Sequence, residues 1–155
     1  MSYTGTKSQS GNGTTININT GSVSTPTWTP IGEVVELSES GKMNKSDDAT
    51  NLQSSAEEFV PTILSPGTYA LTINRVSTDT GQLAMVASFT ALPPTLVQYQ
   101  VVLPKTPAQT TSGDKYVFLA MVEEMNDIGS LKADKVIKIT AKLKVSGPQT
   151  FTAGS

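Results

Sequence analysis

Carboxylates crowd into one stretch of the chain, SESGKMNKSDDATNLQSSAEEF from Ser38 to Phe59, where Glu39, Asp47, Asp48, Glu57 and Glu58 stand among serines and two lysines. Asp47-Asp48 beside Thr50 and Asn51 could supply oxygen ligands to a hard cation. The spacing is not that of an EF-hand loop, and no glycine stands at its turn position, so a solvated acidic loop is the better reading. Glu57-Glu58 and Glu123-Glu124 are carboxylate pairs of the kind acid-base hydrolysis uses. Neighbours on a strand point to opposite faces, however, so neither pair converges on one substrate. Charge at an edge or rim accounts for them.

The rest of the chemistry is thin. The 155 residues contain no histidine and no cysteine. That removes the commonest general base near neutral pH, every Ser-His-Asp or Cys-His arrangement within the chain, and every imidazole, thiolate or disulfide site. No glycine-rich phosphate loop and no G-x-G-x-x-G after a strand is present, so no cofactor and no metal is expected. No apolar run approaches the roughly 20 residues of a membrane helix, and the first residues lack the apolar core of a secretion signal. Asn12-Gly13-Thr14 and Asn44-Lys45-Ser46 are therefore read as chance sequons.

The elements that must position these groups read mainly as strands. Residues 1–27 are rich in Gly, Ser, Thr and Asn with one alternating patch, Thr15–Asn19, which suits a flexible arm or an edge strand that needs a neighbour. Residues 33–38 suit a strand with Val35 and Leu37 on one face. Tyr69, Leu71 and Ile73 alternate, as do Val97, Tyr99, Val101 and Leu103. Residues 116–122 are apolar throughout, so a strand there needs cover on both faces. Ile137, Ile139, Ala141, Leu143 and Val145 point one way in the last strand, with Lys138, Thr140, Lys142 and Lys144 opposite, until Ser146-Gly147-Pro148 ends it. A helix is predicted over about 80–92, stopped by Pro93-Pro94, with Leu83, Val86 and Ala87 at helical spacing and Met85, Phe89 and Leu92 widening the apolar face. Six to eight strands and one helix predict a mainly β fold, a two-sheet sandwich or barrel-like body with a flanking helix.

Charge is uneven along this body. Only 15% of residues are charged, low for a monomer's solvated surface; Ser and Thr fill the polar positions, as suits strands and subunit contacts. Residues 33–58 hold seven carboxylates and two lysines, net −5, whereas 131–155 hold five lysines and one aspartate, net +4. An isoelectric point near 5.0 opposes a nucleic-acid site, and the lysine strand lacks interleaved aromatics. A surface acidic at one place and basic at another can join copies of itself head to tail, making rings or filaments.

The order of motifs points the same way. Trp28-x-Pro30-Ile31-Gly32-Glu33-Val34, Ser38-x-Ser40-Gly41, Asp48-x-Thr50-Asn51-x-x-Ser54 and Glu58-Phe59-x-Pro61 resemble the N-terminal part of major tail tube proteins of long-tailed, siphovirus-type bacteriophages. Gly67 before a strand, a short helix, Val101-x-Leu103-Pro104 and a final strand ending Leu143-Lys144-Val145-Ser146-Gly147 continue the likeness over residues 28–148. The resemblance implies hexameric rings stacked into a hollow tube, located in the virion tail and made in the host cytoplasm. It also implies inner sheets that join around a lumen through which DNA passes, with the tape measure and tail terminator or tip proteins as further partners. Contractile tails and type VI secretion tubes share that fold.

On this reading residues 1–27 form an N-terminal arm, 28–148 the tube domain with a loop arm at 39–62, and 149–155 a C-terminal tail. The candidate subunit or ring contacts are Ile16, Ile18, Trp28, Ile31, Glu39, Asp47, Asp48, Leu52, Glu57, Glu58, Phe59, Lys138, Lys142 and Lys144. A capsid decoration or a receptor- or carbohydrate-binding β module is the rival reading. Such modules cluster aromatics or carry a calcium site, whereas one Trp and four Tyr are dispersed here. An enzyme would have only carboxylate, Lys and Tyr chemistry to work with.

Overall fold

A computed structural model describes residues 9–155, so the first eight residues of the expected arm lie outside the described residues. In chain order the elements are β1 (Thr15–Asn19), β2 (Trp28–Pro30), β3 (Val34–Ser40), β4 (Met43–Asp48), β5 (Phe59–Ser65), β6 (Thr68–Asn74), α1 (Thr80–Thr90), β7 (Val97–Val102), β8 (Lys115–Asn126) and β9 (Lys138–Thr152). Seven strands form one antiparallel sheet in the order β2-β1-β7-β8-β9-β6-β3, and β4 pairs with β5 as a separate two-stranded sheet.

The large sheet is rolled. Tyr69 of β6 and Phe118 of β8 stack with ring centroids 4.5 Å apart, although β9 runs between their strands. A flat sheet would hold strands two places apart at about 9.5 Å, so the curl brings the concave side chains together. Leu37 and Glu39 of β3 consequently share one groove with Val101, Leu103 and Tyr116 from the other half of the sheet. The two halves face each other as layers of a barrel-like body, the mainly β class with flanking helix that the sequence predicts.

Strict alternation fills the interior. Leu71, Ile73, Tyr99, Phe118, Ala120, Ile139, Ala141 and Leu143 are all buried. Each fully buried large side chain among them contributes about 1.5–3 kcal/mol. Tyr99 packs its ring 5.9 Å from Phe118. β1 is not a free edge: Ile16 and Ile18 pair with Val101 and Tyr99 across β7, and β2 lies along its other side. Two side-chain amide bonds fix that register, Asn17 Nδ2 to Gln100 Oε1 and Asn19 Nδ2 to Gln98 Oε1, each 3.0 Å.

One strand face and the helix face differ from the expectation. In β3 the register against β6 shifts between Val34 and Glu36. The bulge inverts the alternation, so Val34 and Leu37 pack on the core while Val35 is exposed. In α1, Asp79 caps the N-terminus by accepting from Gln82 N, but the buried face is Gly81, Gln82, Met85 and Ser88. Leu83 is 53% exposed and Leu92 more so. Polar residues can take the interior because their bonds are made there. Gln82 Nε2 donates to Gly32 O and Asn74 O, its Oε1 accepts from Val76 N, and Ser88 Oγ donates to Met85 O.

β8 and β9 also depart from the simple pattern. Phe118, Ala120 and Val122 are buried, but Val117, Leu119 and Met121 keep a half-exposed outer side, and α1 packs against β8, β1 and β2. β9 does not stop at Gly147-Pro148. Gly147 takes a φ of 77°, the strand bends, and Thr150, Phe151 and Thr152 pair again with Val117, Tyr116 and Lys115. The strand begins at Lys138, leaving Ile137 exposed in the preceding loop rather than inward.

Candidate assembly surface

The acidic stretch is an ordered hairpin that projects from the body. β3 and β6 pair as far as Ser40 opposite Thr68. Beyond a corner at Gly41-Lys42 and Pro66-Gly67, β4 and β5 continue as their own pair, from Met43 opposite Ser65 to Asp48 opposite Phe59. Every residue of β4 is exposed, and so is all of β5 except Ser65.

Side chains of the tip supply the bonds that a Ser-, Asn- and Asp-rich segment would otherwise give to water. Asp48 Oδ1 accepts from Thr50 N at 2.9 Å and Asn51 Oδ1 from Gln53 N at 2.9 Å. Glu58 N donates to Thr50 Oγ1 at 2.9 Å, and Ser54 Oγ donates to Glu58 Oε2 at 2.9 Å. The bonds from Thr50 hold the Asp48 carboxyl below its ordinary range. Asp48 and Glu58 thus each use one carboxylate oxygen to build the turn. Among the described residues no group of three or more acidic side chains gathers to hold a metal ion.

A polar clasp joins the hairpin's root to the body. Lys42 Nζ donates to Gln149 Oε1 at 2.8 Å, Gln149 Nε2 donates to the Tyr69 hydroxyl at 2.9 Å, and that hydroxyl donates to Glu39 Oε2 at 3.1 Å. Lys42 and Glu39 also approach to 3.8 Å. Burial, with the Glu39 charge beside it, pushes the Tyr69 phenol up to about 12.

What the hairpin offers outward is apolar. Phe59 is 71% exposed and Ile63 70%, Met43, Val60 and Leu64 are exposed as well, and Leu52 at the tip is fully so. Asp47 stands opposite Val60 and Asp48 opposite Phe59, so carboxylates rim the apolar side chains. Isolated exposed apolar residues are ordinary, but a concentration of this kind on one projection marks an interaction site.

The predicted contact residues divide. Asp47, Asp48, Leu52, Glu57, Glu58 and Phe59 lie together on the hairpin. Glu39 belongs to the clasp at its root. Ile16, Ile18 and Ile31 are buried in the subunit's own core, so their surface is not on offer to a neighbour, and Trp28 is half-buried on edge strand β2. Lys138, Lys142 and Lys144 share the exposed face of β9, where Lys142 stands in register with Glu124 and Ala70. Sequence reasoning passed over a second exposed apolar group, Ile128, Leu131 and Val136, in the loop between β8 and β9, and placed the adjoining Ile137 in the strand. The available signal was three large apolar residues without strand or helix period among Gly, Ser, Lys and Asp.

No family model matches the chain, and no curated protein matches it. Solved structures do. A chain of the SPP1 tail tube superposes with a TM-score of 0.69 over 96% of this chain and 80% of its own, at 12% identity. A chain of the sheath–tube complex of PVC, an extracellular contractile injection system, gives 0.70 over 95% and 93%, at 9% identity. A chain from the tail of an empty GTA particle with C6 symmetry gives 0.68 over 94% and 100%, at 14% identity. The chain has the tail tube fold. At these identities it is the arrangement of strands that is shared.

Proposed function

We propose that this chain is the structural subunit of a phage-type tail tube, a virion protein that self-assembles into stacked hexameric rings around a lumen through which DNA passes at ejection. The observation that carries the reading is an ordered hairpin presenting Phe59, Ile63 and Leu52 to solvent on a body with the tail tube fold. Such apolar surface costs free energy in water and is stabilised when a neighbour covers it. Sixfold symmetry is supported by the C6 tail among the similar structures. Chains from a sheath/tube terminator and from a tube-terminating cap are also similar, which supports a terminator as partner. A tape measure and tip proteins follow from the same reading.

Within the tube the hairpin carries the contacts between rings, with Asp47, Asp48, Glu57 and Glu58 setting register and Leu52 and Phe59 as anchors. Lys138, Lys142 and Lys144 serve subunit or ring contacts. A net charge of −2 suits a conduit that does not retain DNA. No catalytic role is assigned.

Electron microscopy of the purified protein tests the reading. Hollow tubes or stacked sixfold rings are expected; a particle that stays monomeric at high concentration with an intact N-terminus would contradict it.

A further inference from the structure

We propose that the hairpin of one copy lands on the loop between β8 and β9 of the next, residues 127–137, an inference that rests on the tail tube reading. Strand register sets the geometry. β6 runs from Thr68, opposite Lys144 at the hairpin's root, to Asn74, opposite Lys138. The 127–137 loop joins Asn126, which pairs with Thr140, to that same Lys138. Hairpin and loop therefore extend from opposite ends of one set of strands, separated by the length of β6, about 20 Å. Two different surfaces at opposite poles of identical chains are satisfied together by head-to-tail repetition.

Charge and apolar surface fit this pairing. Between Met43 and Ser65 stand four carboxylates and one lysine, net −3. From 127 to 138, Lys132, Lys135 and Lys138 outnumber Asp127 and Asp134, net +1, and Arg75 joins that pole by donating from Nη1 to Asp127 O at 2.9 Å. Both poles carry exposed apolar side chains, Leu52 and Phe59 on one, Leu131 and Val136 on the other. Apolar burial with opposite charge at its rim gives affinity from the first and register from the second. Lys144 lies at the hairpin's own root, in register with Thr68, so it is placed at the wrong end to receive a neighbour's hairpin. The receptor is the loop rather than the lysine face.

The chain contains no cysteine, which makes the contact directly testable. Leu52→Cys and Leu131→Cys are introduced together and singly into the full chain, assembled, inspected by electron microscopy, and then treated with an oxidant or a short bismaleimide. The double variant should give tubes and a ladder of covalent multimers on a non-reducing gel, and each single variant only monomer. Tubes without a ladder would overturn the pairing, as would cross-linking of the Leu52→Cys variant alone, which would mean that hairpin tips meet each other. Failure of the unsubstituted protein to form rings or tubes would instead sink the tail tube reading, so the two failures are separable. A second arm guards against a variant that does not assemble. Asp47→Lys with Glu57→Lys, or Lys132→Glu with Lys135→Glu, should each lower the yield of polymer at low salt at least tenfold. All four in one chain should restore it, and no recovery would count against the pairing.

Discussion

Gly41 and Gly67 face each other across the corner where the body ends and the hairpin begins. Both have positive φ, 76° and 81°, and a Cβ on Gly41 would sit 3.7 Å from the Gly67 Cα. The two are not equally constrained. A Cβ on Gly67 would run into the Ser40 carbonyl oxygen, whereas Gly41 has room. Gly41→Ala should therefore cost about 1–2 kcal/mol, the ordinary penalty for a side chain in left-handed backbone. Gly67→Ala should cost clearly more, because the strand must also move. Urea unfolding of both variants checks the order; equal losses would mean that the corner relaxes freely.

Replacing residues 43–65 by a short glycine-serine turn should leave the melting temperature of the body nearly unchanged, because no side chain of that segment belongs to the buried core. The same variant should no longer stack. A large drop in thermal stability would show that the hairpin supports the body as well as the assembly.

Two phenylalanines make a sharper contrast. Phe118 is buried and stacks on both Tyr69 and Tyr99, so Phe118→Ala should cost about 3–5 kcal/mol. Phe59→Ala should change the stability of the dissociated subunit by less than about 0.5 kcal/mol while reducing polymer formed at a given concentration. Denaturation of the subunit and sedimentation of the assembled protein read the two effects separately.

Alkaline titration should find two tyrosines out of line. Burial raises Tyr99 to about 12, and burial with the neighbouring Glu39 carboxylate raises Tyr69 to about 12, against 10.0 for a free phenol. A folded value above the unfolded one means that their contribution to stability is whole below pH 10 and is lost as pH rises from there through 12. Absorbance at the phenolate band should show Tyr69 and Tyr99 ionising late, and Tyr69→Phe should remove one of the two late transitions. At the acid end the Asp48 carboxyl is lowered by its Thr50 bonds, so its contribution to the turn is present above the ordinary carboxylate value and fades as pH falls through the folded one. The Thr50 amide resonance should report a midpoint below 3.8, and Asp48→Asn should abolish that titration.

The parts of this molecule legible in its sequence are those where one face of a strand meets the core without interruption. Ile139, Ala141, Leu143 and Val145 obey a period of two and are buried as the period requires. β3 misleads because a single bulge between Val34 and Glu36 reverses the faces, and a bulge leaves no mark in hydrophobic pattern. α1 misleads because Gln82 is polar in composition yet has its amide satisfied on both sides inside the body. The stretch from Ser38 to Phe59 was legible as polar and solvent-facing but not as paired strands. β4 and β5 bury nothing against the core, so no alternation was imposed on them, and their order comes from local bonds such as that between Glu58 N and Thr50 Oγ1. The clasp lay beyond reach, since Lys42 and Gln149 are brought together only by the bend of β9 at Gly147.

The pairing of β1 with β7 sets a timetable for the chain. Ile16 finds its partner Val101 only after some 85 intervening residues exist, and closing so long a loop makes this step late in folding. The β4–β5 hairpin has no such wait, because its strands are joined by ten residues, 49–58. During synthesis the exposed apolar projection is therefore complete while the barrel behind it is still open. The interval between those two events is when a nascent chain is most exposed to premature association.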